Sequence, residues 1–161
     1  MATPAVMDEV RIAPGTADHV DAVMTVMEAA FGDKFGEAWT RSQLHGILPM
    51  AGVFLIIAVD RASDCVIGFS LFRTVADESE LLLIGVLPDE QRRGVGTLLL
   101  EDFLVRARGQ HASKVHLEVR DGNPAIELYR AAGFSPVGRR RNYYHALNGK
   151  SFDAITLAYE L

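Results

Sequence analysis

The stretch from Leu81 to Leu100 constrains the fold more than any other. It reads Leu-Leu-Leu-Ile-Gly-Val-Leu-Pro-Asp-Glu-Gln-Arg-Arg-Gly-Val-Gly-Thr-Leu-Leu-Leu. An apolar run of strand length breaks at Pro88, crosses two closely spaced glycines, and re-emerges with apolar residues at helical spacing. The pattern predicts a strand, a glycine loop and a helix start. Such a loop aims free backbone N–H groups, and the positive end of the helix dipole, at one point that suits phosphate. Gly94 and Gly96 remove the Cβ that would keep an oxyanion away, and Arg92 and Arg93 add charge. A tight turn uses glycine for steric reasons too, so the loop becomes a site only in company with other motifs.

Two familiar phosphate loops are excluded by the residues themselves. A nucleotide P-loop needs Lys before its Ser or Thr, whereas Thr97 follows Gly96 directly; the dinucleotide fingerprint needs a third glycine that is missing. A chain of 161 residues predicts one domain over 1–161, with Met1 to Met7 a loose end. Hydrophobic residues at 49% and charged ones at 23% fit a globular protein. The net charge of -5 argues against nucleic acid as a partner. Basic residues still gather at Arg92–Arg93 and Arg139–Arg141, as a solvated face or a ligand-facing one. No apolar stretch reaches membrane-spanning length, so neither a membrane partner nor a targeting segment is expected. The lone Cys65 excludes an internal disulfide and a multi-cysteine metal site, is expected to be a buried small hydrophobe, and suits a cytoplasmic location.

Along the chain, Glu9 to Ala13 predicts a first strand stopped by Pro14-Gly15. Thr16 is a candidate N-cap for a helix whose stripe is Val20, Val23, Met24, Met27 and Phe31. Gly32 to Glu37 is a break, and Thr40 caps a short second helix through Leu48. Val53–Val59 and Val66–Thr74 form a hairpin, and Glu78–Val86 a third strand. Gly85 is unexpected inside it; a bulge, a close approach by a ligand or a packing gap would each account for it. A helix runs from Gly94 to about Gly109. In the next strand, Lys114 to Val119, Val115, Leu117 and Val119 share one face and His116 and Glu118 the other. Asn123 then caps, and Pro124 opens, a helix striped by Ala125, Leu128, Tyr129 and Ala132, which Gly133 ends. Val137–Asn142 and Phe152–Tyr159 close the chain as strands. The expected fold is α/β (α+β): a mixed, mostly antiparallel sheet of about seven strands with helices on both faces.

Several features recur in fixed order: Gln91-Arg92-Arg93-Gly94-Val95-Gly96, Leu117-Glu118-Val119-Arg120, Asn123, Ala125-Ile126-Glu127-Leu128-Tyr129, Ala132-Gly133-Phe134, Arg141-Asn142-Tyr143-Tyr144 and Asp153-Ala154-Ile155. Together they resemble the GNAT superfamily of N-acetyltransferases, in its RimI-like branch of ribosomal-protein alanine N-acetyltransferases. The likeness covers roughly Glu78 to the C-terminus. It departs from the branch between the first two helices, where an aromatic-Pro-Trp-Ser type stretch is represented only by Ala38-Trp39-Thr40 after a longer Gly32–Glu37 segment. In relatives that loop borders the acceptor.

The resemblance implies acetyl-CoA as cosubstrate, with no metal. Backbone groups of Ile84, Gly85 and Val86 would pair with the pantetheine arm, residues Gln91, Arg92, Arg93, Gly94, Val95, Gly96 and Thr97 would hold the pyrophosphate, and Asn123 would contact the cofactor further along. Glu118 aligns with the family's general base and Tyr129 with its general acid, while Trp39, Arg141, Tyr143 and Tyr144 are candidates for the acceptor groove. The chemistry asks for both roles. A peptide α-amine has a pKa of about 7.7 to 8.0 and must lose a proton before it attacks a thioester, and the leaving thiolate needs one back. On residue type alone Glu80 and His116 are rival bases. The implied acceptor is a protein N-terminal α-amine, a ribosomal protein first. A lysine side chain, a small-molecule amine or a non-catalytic acyl-CoA sensor are the alternatives, and monomer and homodimer are equally compatible.

Overall fold

The computed structural model describes residues 1–161. In chain order the elements are α1 (Pro4–Glu9), β1 (Val10–Pro14), α2 (Val20–Phe31), α3 (Arg41–Ile47), β2 (Val53–Asp60), β3 (Val66–Val75), β4 (Glu78–Val86), α4 (Val95–Gly109), β5 (Lys114–Arg120), α5 (Ala125–Ala131), β6 (Ser135–His145) and β7 (Ser151–Glu160). Short 3-10 turns occupy Ala17–His19, capped by Thr16, and Pro88–Glu90. Thr40 caps α3 as expected, exchanging hydrogen bonds with Gln43 in a capping box.

The strands form one seven-stranded sheet in the order β1-β2-β3-β4-β5-β7-β6. β1 through β4 pair antiparallel in sequence, β1 and β2 joined through α2 and α3 and the next two pairs by tight turns, whereas the α4 crossover brings β5 alongside β4 in parallel. Pairing between β4 and β5 stops at Leu81↔Leu117. Beyond that point the two strands lie in one sheet without sharing a ladder, and a wedge opens between their C-terminal ends.

A bulge helps to open it. In the β3–β4 ladder Leu71 pairs with Leu83 but Phe72 pairs with Leu81, so Leu82 is an extra residue. The insertion inverts the alternation. Leu81 joins the core beneath α4, whereas Leu83 joins the core beneath α2. The bulge is therefore three residues before Gly85, and the glycine has a different cause. A Cβ there would stand 2.9 Å from Phe69 Cε1 and 3.3 Å from Phe31 Cε2, because those rings already fill its space.

Two apolar cores result, one on each face. Leu99, Leu100, Phe103 and Tyr129 from α4 and α5 cover Ile56, Ala58, Leu117 and Leu157 of the sheet. On the opposite face Val23, Met27 and Leu44 from α2 and α3 cover Leu55, Ile57, Phe69 and Leu71. Each such side chain fully removed from water contributes about 1.5–3 kcal/mol, which is why short helices with modest caps hold their places.

Two expectations from sequence are corrected. Met1–Met7 is not loose: Thr3 and Pro4 supply the cap and first turn of α1, Ala2 and Val6 are buried, and the Ala2 N–H donates to Glu101 of α4 at 2.8 Å. Cys65 is exposed, because it belongs to the turn between β2 and β3, where Asp60 accepts from Ser63, and not to a strand interior.

Candidate functional site

The wedge between β4 and β5 is the mouth of a cleft of about 890 Å³. The end of β4 forms one wall, through Ile84, Gly85 and Val86, and the end of β5 forms the other, through Glu118, Val119 and Arg120. The loop into α4 closes one end; Trp39, Phe35 and Glu37 from the α2–α3 connection, with Tyr143 and Tyr144 from β6, close the other.

At the α4 end, none of the backbone N–H groups from Arg92 through Thr97 is bonded within the protein. Helix geometry requires orphan donors at an N-terminus, and here the orphans run back into the loop. Arg92 (φ 67°) and Gly94 (φ 87°) both sit in the left-handed region, which turns the chain so that successive amides converge. The Gln91 side chain donates to the Val86 carbonyl at 3.2 Å and ties the loop to the end of β4. Arg92 lines the cleft. Arg93 does not: its guanidinium is turned to the far side, bonded to Glu90, at 2.9 Å to Glu9 and at 3.6 Å to Asp60. Those carboxylates hold it in its charged form and take its charge away from the loop. Val95 is likewise in the core, so only its amide can serve.

On β5 the predicted alternation holds: Val115, Leu117 and Val119 enter the α4 core, leaving Glu118 on the cleft face. Its Oε2 accepts from Thr156 Oγ1 of β7 at 2.7 Å, and its Oε1 lies 2.9 Å from Arg140 Nε of β6. Of the rivals, Glu80 also lines the cleft, at the paired end of the wedge, and His116 does not; His116 Nε2 is 3.8 Å from Glu80 and its Nδ1 3.9 Å from Glu78.

Tyr129 comes up from α5 and is 5% exposed, yet its hydroxyl makes no hydrogen bond to the protein. Burial, then the neighbouring Tyr144 and the Glu37 carboxylate, push that phenol well above its ordinary pKa, so it stays protonated. Tyr144 is raised in the same way, first by burial and then by Glu37, and donates to the Glu118 carbonyl at 3.3 Å. Arg141 is exposed and does not line the cleft, and Arg139 is held between Asp121 and Asp153, both at 2.8 Å.

Asn123 lines the cleft, but both ends of its amide are engaged: Oδ1 accepts from Ala125 N–H at 2.9 Å just before α5, and Nδ2 donates to Glu37 Oε2 at 2.9 Å. Glu37 was not among the residues singled out from sequence. Its other oxygen is 3.3 Å from Arg120 Nε in a pair whose side chains are 9% and 10% exposed, although that N–H is not aimed at the oxygen and stays unbonded. The Arg120 guanidinium lies over the Phe35 ring at 3.6 Å.

The model of the acetyltransferase (GNAT) family matches residues 20–134. The chain belongs to the GNAT family. Its sheet, with a wedge between β4 and β5, is the GNAT fold, and a crystal structure of the ribosomal-protein-S18-alanine N-acetyltransferase from Escherichia coli superposes with a TM-score of 0.83 at 27% identity, over 94% of this chain and 93% of that one. Among curated relatives, the [ribosomal protein bS18]-alanine N-acetyltransferase of Haemophilus influenzae is 38% identical over 93 residues, covering 58% of this chain and 64% of that one. The enzyme of the same name from Salmonella typhimurium is 41% identical over 98 residues, 60% of this chain and 66% of its own. Each match spans less than two thirds of the relative's length.

Proposed function

We propose that this GNAT protein transfers the acetyl group of acetyl-CoA to the N-terminal α-amine of a protein, with a ribosomal protein beginning in alanine as the first candidate. The observation that carries the reading is the wedge itself, with a run of unbonded amides at one end and a carboxylate and a protonated phenol facing it from β5 and α5. The names of the curated relatives supply the acceptor class.

In this reading the amides from Arg92 to Thr97 and the Arg92 side chain bind the pyrophosphate, and the free edge of β4 at Ile84–Val86 binds the pantetheine arm. When bound, acetyl-CoA supplies the activated acyl group. Glu118, held by Thr156 and Arg140, accepts the proton that the acceptor amine gives up, directly or through water. Tyr129 keeps its proton at neutral pH and donates it to the departing sulfur. A hydroxyl without a protein partner is free to make that bond. Attack is direct, so no covalent enzyme intermediate forms.

The test is incubation with acetyl-CoA and a panel of N-terminal peptides, followed by mass spectrometry. A mass gain of one acetyl group on the α-amine of alanine-initiated peptides is the expected result. Transfer to lysine side chains or small amines alone would reject the acceptor, and an absence of coenzyme A binding by calorimetry would reject the site.

A further inference from the structure

We propose that Glu37 is the acceptor-binding carboxylate of the cleft: it receives an N–H of the incoming α-amine and orients the nitrogen toward the acyl group. The inference rests on the acetyltransferase reading and adds to it a second acidic group, supplied by the α2–α3 connection and not by the sheet.

Four observations converge on this side chain. It is nine-tenths buried yet lines the cleft, so its charge faces the cavity and not bulk water. Its hydrogen bonds leave it capacity. A carboxylate has about four acceptor positions, and Glu37 uses one for Asn123 and offers one to Arg120, whose N–H is misaligned. Its place is fixed from three sides. Asn123 anchors it to the start of α5, Phe35 stacks under Arg120 and meets Phe152 of β7 edge-on at 5.2 Å, and Gly36 (φ 72°) passes so close to the His145 carbonyl that a Cβ would collide with it. Finally, it stands beside the two phenols at the centre of the cleft, Tyr129 and Tyr144, whose ionisation its charge opposes.

Arg120 from β5 is paired with it and Tyr129 from α5 and Tyr144 from β6 feel its charge; the other charged and titratable groups lining the cleft are Lys34 from its own loop, Glu118 from β5, Glu80 from β4, Arg92 from the loop before α4 and Tyr143 from β6. Arg120 is the cation paired with it at 3.3 Å, which tempers its hold on an ammonium group. Once Glu118 has taken the proton, the neutral amine still presents N–H donors to Glu37, so the contact orients the lone pair through attack. The interaction is a hydrogen bond throughout, and Glu37 forms no covalent bond.

The experiment compares wild type with Glu37→Gln, which retains an acceptor for Asn123, and Glu37→Asp, which retains the charge. The readouts are KM for an alanine-initiated peptide at pH 6.5 and 9, KM for acetyl-CoA, and the inhibition constant of the matching peptide whose alanyl group is replaced by propionyl, which lacks the amine. Glu37→Gln is expected to raise the peptide KM about ten- to hundredfold at pH 6.5, the range for one charge-assisted hydrogen bond. The difference should shrink at pH 9, above the amine's pKa of about 7.7 to 8.0. KM for acetyl-CoA and the propionyl inhibition constant should stay within about twofold, and Glu37→Asp should fall between the other two proteins. Equal weakening of the alanyl and propionyl peptides, or an unchanged KM at pH 6.5, would overturn the role of Glu37 alone. A wild-type protein that acetylates no peptide would overturn the reading beneath it. If Glu37→Gln fails to fold, the wild-type preference for alanyl over propionyl peptide decides the matter: tenfold or more at pH 6.5 supports the contact and no preference removes it.

Discussion

Glu118 and Thr156 face each other across the β5–β7 ladder, and Thr156 Oγ1 donates to Glu118 Oε2 at 2.7 Å. The bond fixes the carboxylate toward the cleft and occupies one of its oxygens, while Arg140 occupies the other. Glu118→Gln keeps the shape, removes the carboxylate charge and so tests the proposed general-base role. Turnover should fall by about 10² to 10⁴ with little change in acetyl-CoA affinity, measured by steady-state kinetics and calorimetry. Thr156→Val should leave the Glu118 carboxylate in place but less well oriented, so its loss in kcat should be clearly smaller.

Tyr129→Phe separates chemistry from stability. A buried hydroxyl bonded within the protein would contribute about 0.5–1.5 kcal/mol to folding, but this one has no protein partner, so the melting temperature should stay the same or rise slightly. Turnover should nevertheless drop by about 10² or more if that hydroxyl protonates the leaving group. Thermal unfolding and kcat measured on the same sample check both halves.

Local patterns carried most of the fold, and long-range contacts account for what they missed. Glu78–Val86 runs over the predicted residues, and the Asn123 side chain accepts from the Ala125 N–H at the start of α5, although the helix begins one residue later than expected, with Pro124 at the cap position. These features depend on neighbours within a few positions. By contrast, Glu37 acquires its meaning from Asn123, 86 residues away, and Arg93 loses its expected one to Glu9, 84 residues away. No periodicity encodes such pairs. The bulge at Leu82 was hidden because an inserted leucine in a run of leucines changes no composition, and Gly85, the visible irregularity, answers to the rings of Phe69 and Phe31. Only α1 had an overlooked local signal, the Thr3-Pro4 cap.

Ser70 offers a stabilising change. Its hydroxyl is fully buried in β3 and has no hydrogen-bond partner. Burying an unpaired hydroxyl costs about 1–3 kcal/mol by mutational measures. Ser70→Ala removes that cost while leaving only a small void, so the protein should gain on the order of 1 kcal/mol in denaturant unfolding with unchanged activity. A loss of stability would indicate that the hydroxyl has a partner.

Gly85→Ala should act in the opposite direction. The new methyl would meet Phe69 and Phe31 at distances that force both rings to shift, and overpacking of this kind costs about 1–3 kcal/mol. Because the crowding is on the α2 face and the Arg92–Thr97 amides lie in the loop beyond, coenzyme A affinity should change far less than the unfolding midpoint. Chemical denaturation and calorimetry together test the separation.

The β6–β7 hairpin should be the acid-sensitive part of the site. Asp153 Oδ1 accepts from the backbone N–H of Asn142 at 3.0 Å, and its Oδ2 lies 2.8 Å from Arg139; these contacts hold its carboxyl below the usual value. A carboxyl depressed in the folded state stabilises it above the unfolded pKa of about 3.9, and the contribution disappears as pH falls through the lower folded value. Asn142 stands at φ 53° inside the register shift of β6, so the Asp153 bond supports a strained turn that carries Tyr143 and Tyr144 to the cleft. Amide exchange at Asn142 should therefore accelerate below about pH 4 relative to the β3–β4 ladder. In Asp153→Asn the same amide should exchange faster already at neutral pH and show little further change with acid.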